Sequence, residues 1–371
     1  MKTANDLRQG KRIEVLDELR GFTLLGIFLI NIPYLADVMS DSQPALKIFL
    51  TILVEDSARP LFAVMFGISM VLIYDRTLEK NQNPYPLLLR RLLILGFAGA
   101  VHGTMIWSGD ILFKFAMAGF ILLLFMRLPS LWLFISGLAF WLIYTVGMDI
   151  FNHYSPYVLD ISVFLKDSLP AAANFPGYEY VLIEAEAMSL HLGFFLLGMY
   201  FYRVNILALT ASHRNKLWVA SAVLFTIGTA GKTALFYEIN SPAVNGLETF
   251  YPFILTLSVL FGVLLWGTTQ NSASSLLLPF KPIGRMTFTN YLIQSLVFVT
   301  LFTTGRSIFV EIGIWNEPSY FFALSIGMLL FALQMVFSWL WMKKFYFGPF
   351  EWLWRIGTHG KIVPIQRKPY E

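Results

Sequence analysis

Long apolar runs recur from one end of the chain to the other, separated by short polar segments. Most runs hold about 20 residues, the length a helix needs to cross the hydrocarbon of a bilayer. The pattern predicts ten helices, at about 21–39, 48–74, 88–107, 111–127, 131–149, 182–202, 216–237, 248–267, 285–305 and 319–342. The polar segments then sort by charge. Lys2, Arg8, Lys11 and Arg12 precede the first run, and Arg76, Lys80, Arg90 and Arg91 join the second to the third. Arg127, Arg203, Arg214, Lys216, Lys281 and Arg285, and the Lys/Arg-rich C-terminus, fall on that same side if every run crosses. That asymmetry predicts both termini in the cytoplasm, because positively charged loops stay there.

Composition strengthens this reading. Of 371 residues 57% are hydrophobic and 13% charged, whereas soluble domains are about a quarter charged. With a mean hydropathy of +0.64, the chain is expected to be an all-α polytopic integral membrane helix bundle without a sizeable soluble module. Residues 1–344 form the transmembrane domain in this reading, with an aromatic and Pro-rich outer cap at about 150–181. Residues 345–371 form an amphipathic interfacial helix, started by Pro349, and a cytoplasmic tail. The net charge of +4 is explained by cytoplasmic loops, so no nucleic-acid partner is expected. The chain has no cysteine, which excludes disulfides, Fe–S clusters, thiolate zinc sites and a thiol nucleophile. Residues 1–20 are polar, so no cleavable signal peptide is predicted.

Polar groups inside apolar runs are costly, and each is a candidate for function. Arg20 and Asn31 share a face of the first helix, since eleven residues return almost to the same angle. Arg91 and His102 repeat that spacing on the third. On the second, Glu55 and Asp56 are spaced to neutralise Arg59 within one continuous helix kinked at Pro60. Asp110 follows the tight turn Trp107-Ser108-Gly109. There it can cap the fourth helix and still face His102, the arrangement of a general base with its orienting carboxylate. A histidine used only for packing is the alternative. Glu184 and His191 share a face of the sixth helix, with Glu184 expected at the wet interface. Thr287, Asn290 and Gln294 share a face of the ninth, where such amides serve either as interhelical glue or as ligand contacts. Asn31, Arg59, His102, His191 and Gln294 come out at similar depth, which predicts a polar cavity near mid-membrane. No P-loop, dinucleotide glycine pattern, HExxH or GxSxG is present, and no ligand spacing supports a metal.

Several stretches together resemble one family. They are Leu16-Asp17-Glu18-Leu19-Arg20-Gly21 with Asn31, Leu61 to Gly67, and Arg90-Arg91 through His102 to Gly109-Asp110-Ile111-Leu112. Gly284-Arg285-Met286-Thr287 with Asn290 and Gln294, and Tyr346 to Arg355, complete the set. In order and spacing the chain resembles the YeiB-like bacterial membrane proteins, a domain of unknown function, over essentially its whole length. Those proteins are grouped with transmembrane acyltransferases, among them heparan-α-glucosaminide N-acetyltransferase and the acyltransferase-3 proteins. The acyltransferase-3 pattern has a histidine eleven residues after the first-helix arginine. Here that place is Asn31, which moves the base to His102.

The resemblance implies an integral membrane acyltransferase of the bacterial cytoplasmic membrane, carrying an acyl group from acyl-CoA to an acceptor hydroxyl or amine. His102 and Asp110 would be catalytic. Asn31, Glu55, Arg59, His191, Asn290 and Gln294 would line the cavity, with Asn31 and Arg59 stabilising the oxyanion. Arg20, Arg90, Arg91 and Arg285 would hold the donor's phosphates. Expected partners are membrane lipids and a small-molecule or lipid acceptor, with a homodimer left open and no metal expected. The alternative is a proton-coupled transporter or exporter using the same cavity, and a lipid-binding protein without turnover is a third reading.

Overall fold

The computed structural model describes residues 14–38, 44–154, 188–239, 247, 250–268, 276–313 and 319–367. Almost all of the cap expected at 150–181, and Glu184, lie outside the described residues. In chain order the helices are α1 (Glu14–Ala36), α2 (Pro44–Leu53), α3 (Ala58–Leu78), α4 (Pro84–Met105) and α5 (Leu112–Leu122). Then come α6 (Ser130–Tyr154), α7 (Met188–Arg203), α8 (Ile206–Ser212), α9 (Arg214–Phe236) and α10 (Phe250–Gly267). The last are α11 (Phe280–Arg285), α12 (Thr287–Val299), α13 (Arg306–Glu311), α14 (Tyr320–Lys344) and α15 (Pro349–His359). The described residues contain no strand beyond an isolated bridge between Phe345 and Gln366.

Helical residues occur at each of the ten predicted positions, and among the described residues six segments are long and apolar enough to cross a membrane. These are Glu14–Ala36, Ala45–Leu78, Pro84–Met105, Arg214–Phe236, Phe250–Gly267 and Tyr320–Lys344. Residues 112–125 and 287–303 form shorter apolar helices.

One prediction is overturned. The run at 48–74 is not one kinked helix: α2 stops at Leu53, and Asp56 takes a left-handed φ of 59° before α3 starts at Ala58. Pro60 is the cause, because its ring cannot follow a residue four places back in helix and it offers no N–H. It therefore stands in the first turn of a new helix instead of bending an old one.

The chain divides into two compact units. In the first (residues 1–62, 205–352 and 364–371), α1 is the central helix, contacting α10, α11, α12 and α14. Its approach to α11 is set by glycine. A Cβ on Gly21 would lie 2.2 Å from the Phe280 carbonyl oxygen, and one on Gly284 1.8 Å from that of Asp17. In the second unit (63–204 and 353–363), α4 packs on α5, and α7 packs on α5 and α6. There Gly67 lies against the backbone of Phe195, and Gly198 against that of Val64.

In the first unit the chain after α14 is clipped back onto α12. Glu351 accepts from the Thr289 amide at 3.0 Å and from its hydroxyl at 2.5 Å, and Thr289 Oγ1 accepts from the Phe350 amide at 3.1 Å. Burial pushes the Glu351 carboxyl above its ordinary range, against the bonds from Thr289, which favour the carboxylate. A folded-state pKa that is raised withdraws stability as pH rises through the ordinary carboxylate range. Glu351→Gln, which keeps the shape but does not titrate, should therefore gain on the wild type in melting temperature between pH 4 and pH 8, a window set by the usual carboxylate pKa. A constant difference across that window would show that burial of the charge has no cost there.

Candidate functional site

The second unit holds the imidazole–carboxylate pair. His102 is in the last turn of α4, and its carbonyl accepts the amides of Ile106 and Trp107, closing the helix into the turn that leads to Asp110. Asp110 Oδ2 accepts the amides of Leu112 and Phe113 at 2.8 and 3.1 Å, capping α5. Its Oδ1 stands 2.9 Å from His102 Nδ1. Both residues are buried. The capping amides orient the carboxylate, and the carboxylate orients the ring. Opposite an ionised carboxylate, which only accepts, a neutral ring would carry its hydrogen on Nδ1 and its lone pair on Nε2. This is the tautomer a general base requires.

Close approach of α4 and α5 brings the pair together: a Cβ on Gly99 would meet the Phe113 amide at 2.3 Å. His191, buried on α7, has its ring 5.3 Å from that of Phe115 on α5. Phe115 also packs edge-on against Phe195 and Phe66. Through Phe115, His191 joins an aromatic cluster on α5.

Several cationic residues of this unit gather where α4 begins. Arg91 lies face-on to Trp354 of α15, 3.7 Å from the ring centroid, and Trp354 Nε1 donates to the Arg91 carbonyl at 2.9 Å. Arg90 is exposed, with Nη1 near the backbone of Gly360. Arg355, Lys361, Lys80 and Arg91 are close enough to act on His359, whose pKa is lowered first by burial and then by these charges. A basic rim therefore includes Lys80, Arg355 and Lys361, which spacing arguments had not singled out. The signal was available in the charge of the loops that flank α4 and α15.

The first unit contains the other predicted site residues, in several separate arrangements. Arg20 Nη1 pairs with Asp17 Oδ1 at 2.8 Å on its own helix, and Arg285 Nη2 donates to the Tyr346 carbonyl at 3.1 Å. Asn31 is buried, and its Oδ1 lies 3.5 Å from Arg59 Nη2. The expected pairing of Arg59 with Glu55 and Asp56 does not form, because the break between α2 and α3 removes the helical spacing. Glu55 instead presents its carbonyl to the ammonium of Lys232 on α9. Lys232 was missed by sequence reasoning, although a lysine near the end of an apolar helix, beside Gly231, was visible.

Asn290 and Gln294 form a ladder between α12 and α14. Gln294 Nε2 donates to Gln334 Oε1 at 2.9 Å, Gln334 Nε2 to the Asn290 carbonyl at 3.0 Å, and Asn290 Nδ2 to Ser338 Oγ at 3.0 Å. All four residues are buried. Of the two roles the spacing left open, this geometry is that of interhelical glue. Gln294→Leu should then lower stability by about 1 kcal/mol, read as melting temperature, while turnover per folded molecule stays unchanged. A selective loss of turnover would return Gln294 to ligand contact.

A multi-pass helical membrane protein with a buried imidazole–carboxylate pair at a helix–turn–helix junction is the class this architecture defines. The chain belongs to the family described as "Heparan-alpha-glucosaminide N-acetyltransferase, catalytic", which matches residues 12–242. A second family, "Protein of unknown function (DUF418)", matches residues 201–361. YeiB of Escherichia coli K12 is 26% identical, over 93% of this chain and 96% of its own, so the resemblance to YeiB-like proteins holds. YxaH of Bacillus subtilis 168 is 28% identical, over 96% of this chain and 97% of its own. A 39.9 kDa protein from the amylase 3′ region of Bacillus acidopullulyticus is 27% identical, with the same coverage. These three relatives are described as uncharacterised.

Proposed function

We propose that this chain is an acyl-CoA-dependent transmembrane acyltransferase of the bacterial cytoplasmic membrane, with ten crossing helices and both termini inside. The observation that carries the reading is the 2.9 Å contact of His102 Nδ1 with an Asp110 that two amides hold in place. Nε2 takes the proton of an acceptor hydroxyl or amine as the acceptor's oxygen or nitrogen attacks the thioester carbonyl. The carbon–sulfur bond then breaks, and the imidazolium returns the proton to the departing thiolate. Arg91, on the face of α4 that carries His102 and roughly 16 Å from it, would take the donor's phosphates together with Arg90, with Trp354 fixing the Arg91 guanidinium. The family match supports acyl transfer as the class of reaction.

The test is transfer of label from radioactive acetyl-CoA to candidate acceptors by purified protein in nanodiscs. No transfer and no hydrolysis above a protein-free control, across amine, hydroxyl and lipid acceptors, would overturn the reading. The transporter reading draws on one observation, the discontinuity in the 34-residue segment Ala45–Leu78. Broken helices line substrate paths in transporters. Counterflow in proteoliposomes that survives loss of His102 would favour it.

A further inference from the structure

The polar feature that acyl transfer by His102 leaves unused is the break between α2 and α3, in the first unit. Ser57 occupies the N-cap position of α3 and is buried. An N-cap serine ordinarily accepts an amide two or three places on, but the third place is Pro60, which has none. Ser57 Oγ has no hydrogen-bond partner among the described residues. The amides around it are unevenly served. Those of Ser57 and Ala58 go to the Val54 carbonyl and that of Leu61 to the Ser57 carbonyl, while the amide of Arg59 donates to none of the described residues.

The Arg59 side chain is in the same position. It is exposed, it makes no ion pair among the described residues, and its contact is the neutral amide oxygen of Asn31 at 3.5 Å. The neighbouring acids have a second cation within electrostatic range. Glu55 and Asp56 both act on the charge of buried Lys232, whose ammonium is bonded at the Glu55 carbonyl, and Asp56 is exposed. Thr256 Oγ1 reaches the Ser57 carbonyl at 3.4 Å, so the other side of the break is closed by α9 and α10. What remains at the start of α3 is a guanidinium, an amide, a hydroxyl and the positive end of a 21-residue helix.

We propose that the N-terminus of α3 is a binding site for an anionic oxygen group, a carboxylate or phosphate. The Arg59 guanidinium takes it, with the Arg59 amide and the Ser57 hydroxyl as further donors. Asn31 holds the guanidinium over the site, and Lys232 neutralises the acids beside it. Arginine's planar fork suits two oxygens of one such group. This site does not depend on acyl transfer, since binding is its readout and His102 takes no part.

The full chain in phosphatidylcholine nanodiscs would be melted against rising inorganic phosphate and, separately, acetate. The expected result is a saturable rise in melting temperature. Its half-saturation should move up roughly tenfold or more in Arg59→Gln and in Ser57→Ala. Arg306→Gln, at an exposed ion pair with Asp37, should leave it unchanged. Ser57→Ala alters neither charge nor packing volume appreciably, so it carries the test if Arg59→Gln fails to fold. A second arm replaces part of the lipid with phosphatidylglycerol. Stabilisation without added phosphate, lost in the same variants, would identify a lipid headgroup as the occupant; response to soluble anions alone would identify a soluble ligand. No saturable response in either arm, or equal half-saturation in wild type and Ser57→Ala, overturns the proposal.

Discussion

Asp110→Asn is expected to lower turnover by about two to four orders of magnitude while leaving the melting temperature close to that of the wild type. The reason lies in the two jobs of the Asp110 carboxylate. One oxygen caps α5 through the amides of Leu112 and Phe113; the other meets His102 Nδ1. Asparagine's carbonyl oxygen can keep the cap, so the helix start survives. Its amide nitrogen then faces His102 and donates to Nδ1, which moves the ring hydrogen to Nε2. A ring protonated at Nε2 cannot take a proton there, so the base is lost although the geometry remains. Asp110→Ala differs, because it also removes the cap and should cost about 1 kcal/mol or more in stability. His102→Ala should match Asp110→Asn in turnover. If Asp110→Asn transferred acyl groups at the wild-type rate, the contact at 2.9 Å would be architectural and His102 a packing residue. Steady-state transfer and thermal melting on the same preparations separate these outcomes.

The helices were legible because apolar runs of bilayer length leave little choice of structure. Their interior punctuation was not. Between Leu50 and Phe66 the apolar run is interrupted by Glu55-Asp56-Ser57-Ala58-Arg59-Pro60, a polar stretch compatible both with a helix bent at Pro60 and with one restarted there. The structure restarts it, and this one local decision takes Arg59 out of the reach of Glu55 and Asp56. The His102–Asp110 contact was legible for the opposite reason: the two residues flank a short turn, so sequence distance approximates spatial distance. Partners far apart in the chain were beyond reach. Gln334 and Ser338 complete the ladder from Asn290 and Gln294, and Glu351 locks onto Thr289, but these pairs are 40 to 62 residues apart. Periodicity says which face a residue occupies and not which helix that face meets. The common depth assigned to Asn31, Arg59, His102, His191 and Gln294 has the same weakness. Three of them turn out to be engaged within one unit and two within the other.

Gly284→Ala is the substitution outside the site with the largest expected consequence. A Cβ there would stand 1.8 Å from the Asp17 carbonyl oxygen and 2.7 Å from the Gly21 amide nitrogen. Both are backbone atoms of α1, so no side-chain rotation relieves the contact. The helices would have to separate, and α1 is the helix against which α10, α12 and α14 also pack, so the strain has several close-packed neighbours to disturb. Overpacking of this kind costs about 1–3 kcal/mol or more, which for a membrane protein should appear as a lower yield of monodisperse material and a lower melting temperature. Gly262→Ala supplies the contrast. Its Cβ would meet the Ser221 hydroxyl at 3.4 Å, an ordinary contact, and alanine's better helix propensity should make that change neutral or mildly stabilising. Gly21→Ala strikes the same crossing from the other side, 2.2 Å from the Phe280 carbonyl oxygen. Once either alanine has forced α1 and α11 apart, the second finds room already made. The double variant should therefore be less destabilised than the sum of the two singles. This also gives a physical reading to two of the stretches by which the family is recognised. Leu16 to Gly21 and Gly284 to Thr287 are the two sides of one backbone crossing. Full additivity of the two singles would mean that the stretches serve separate ends.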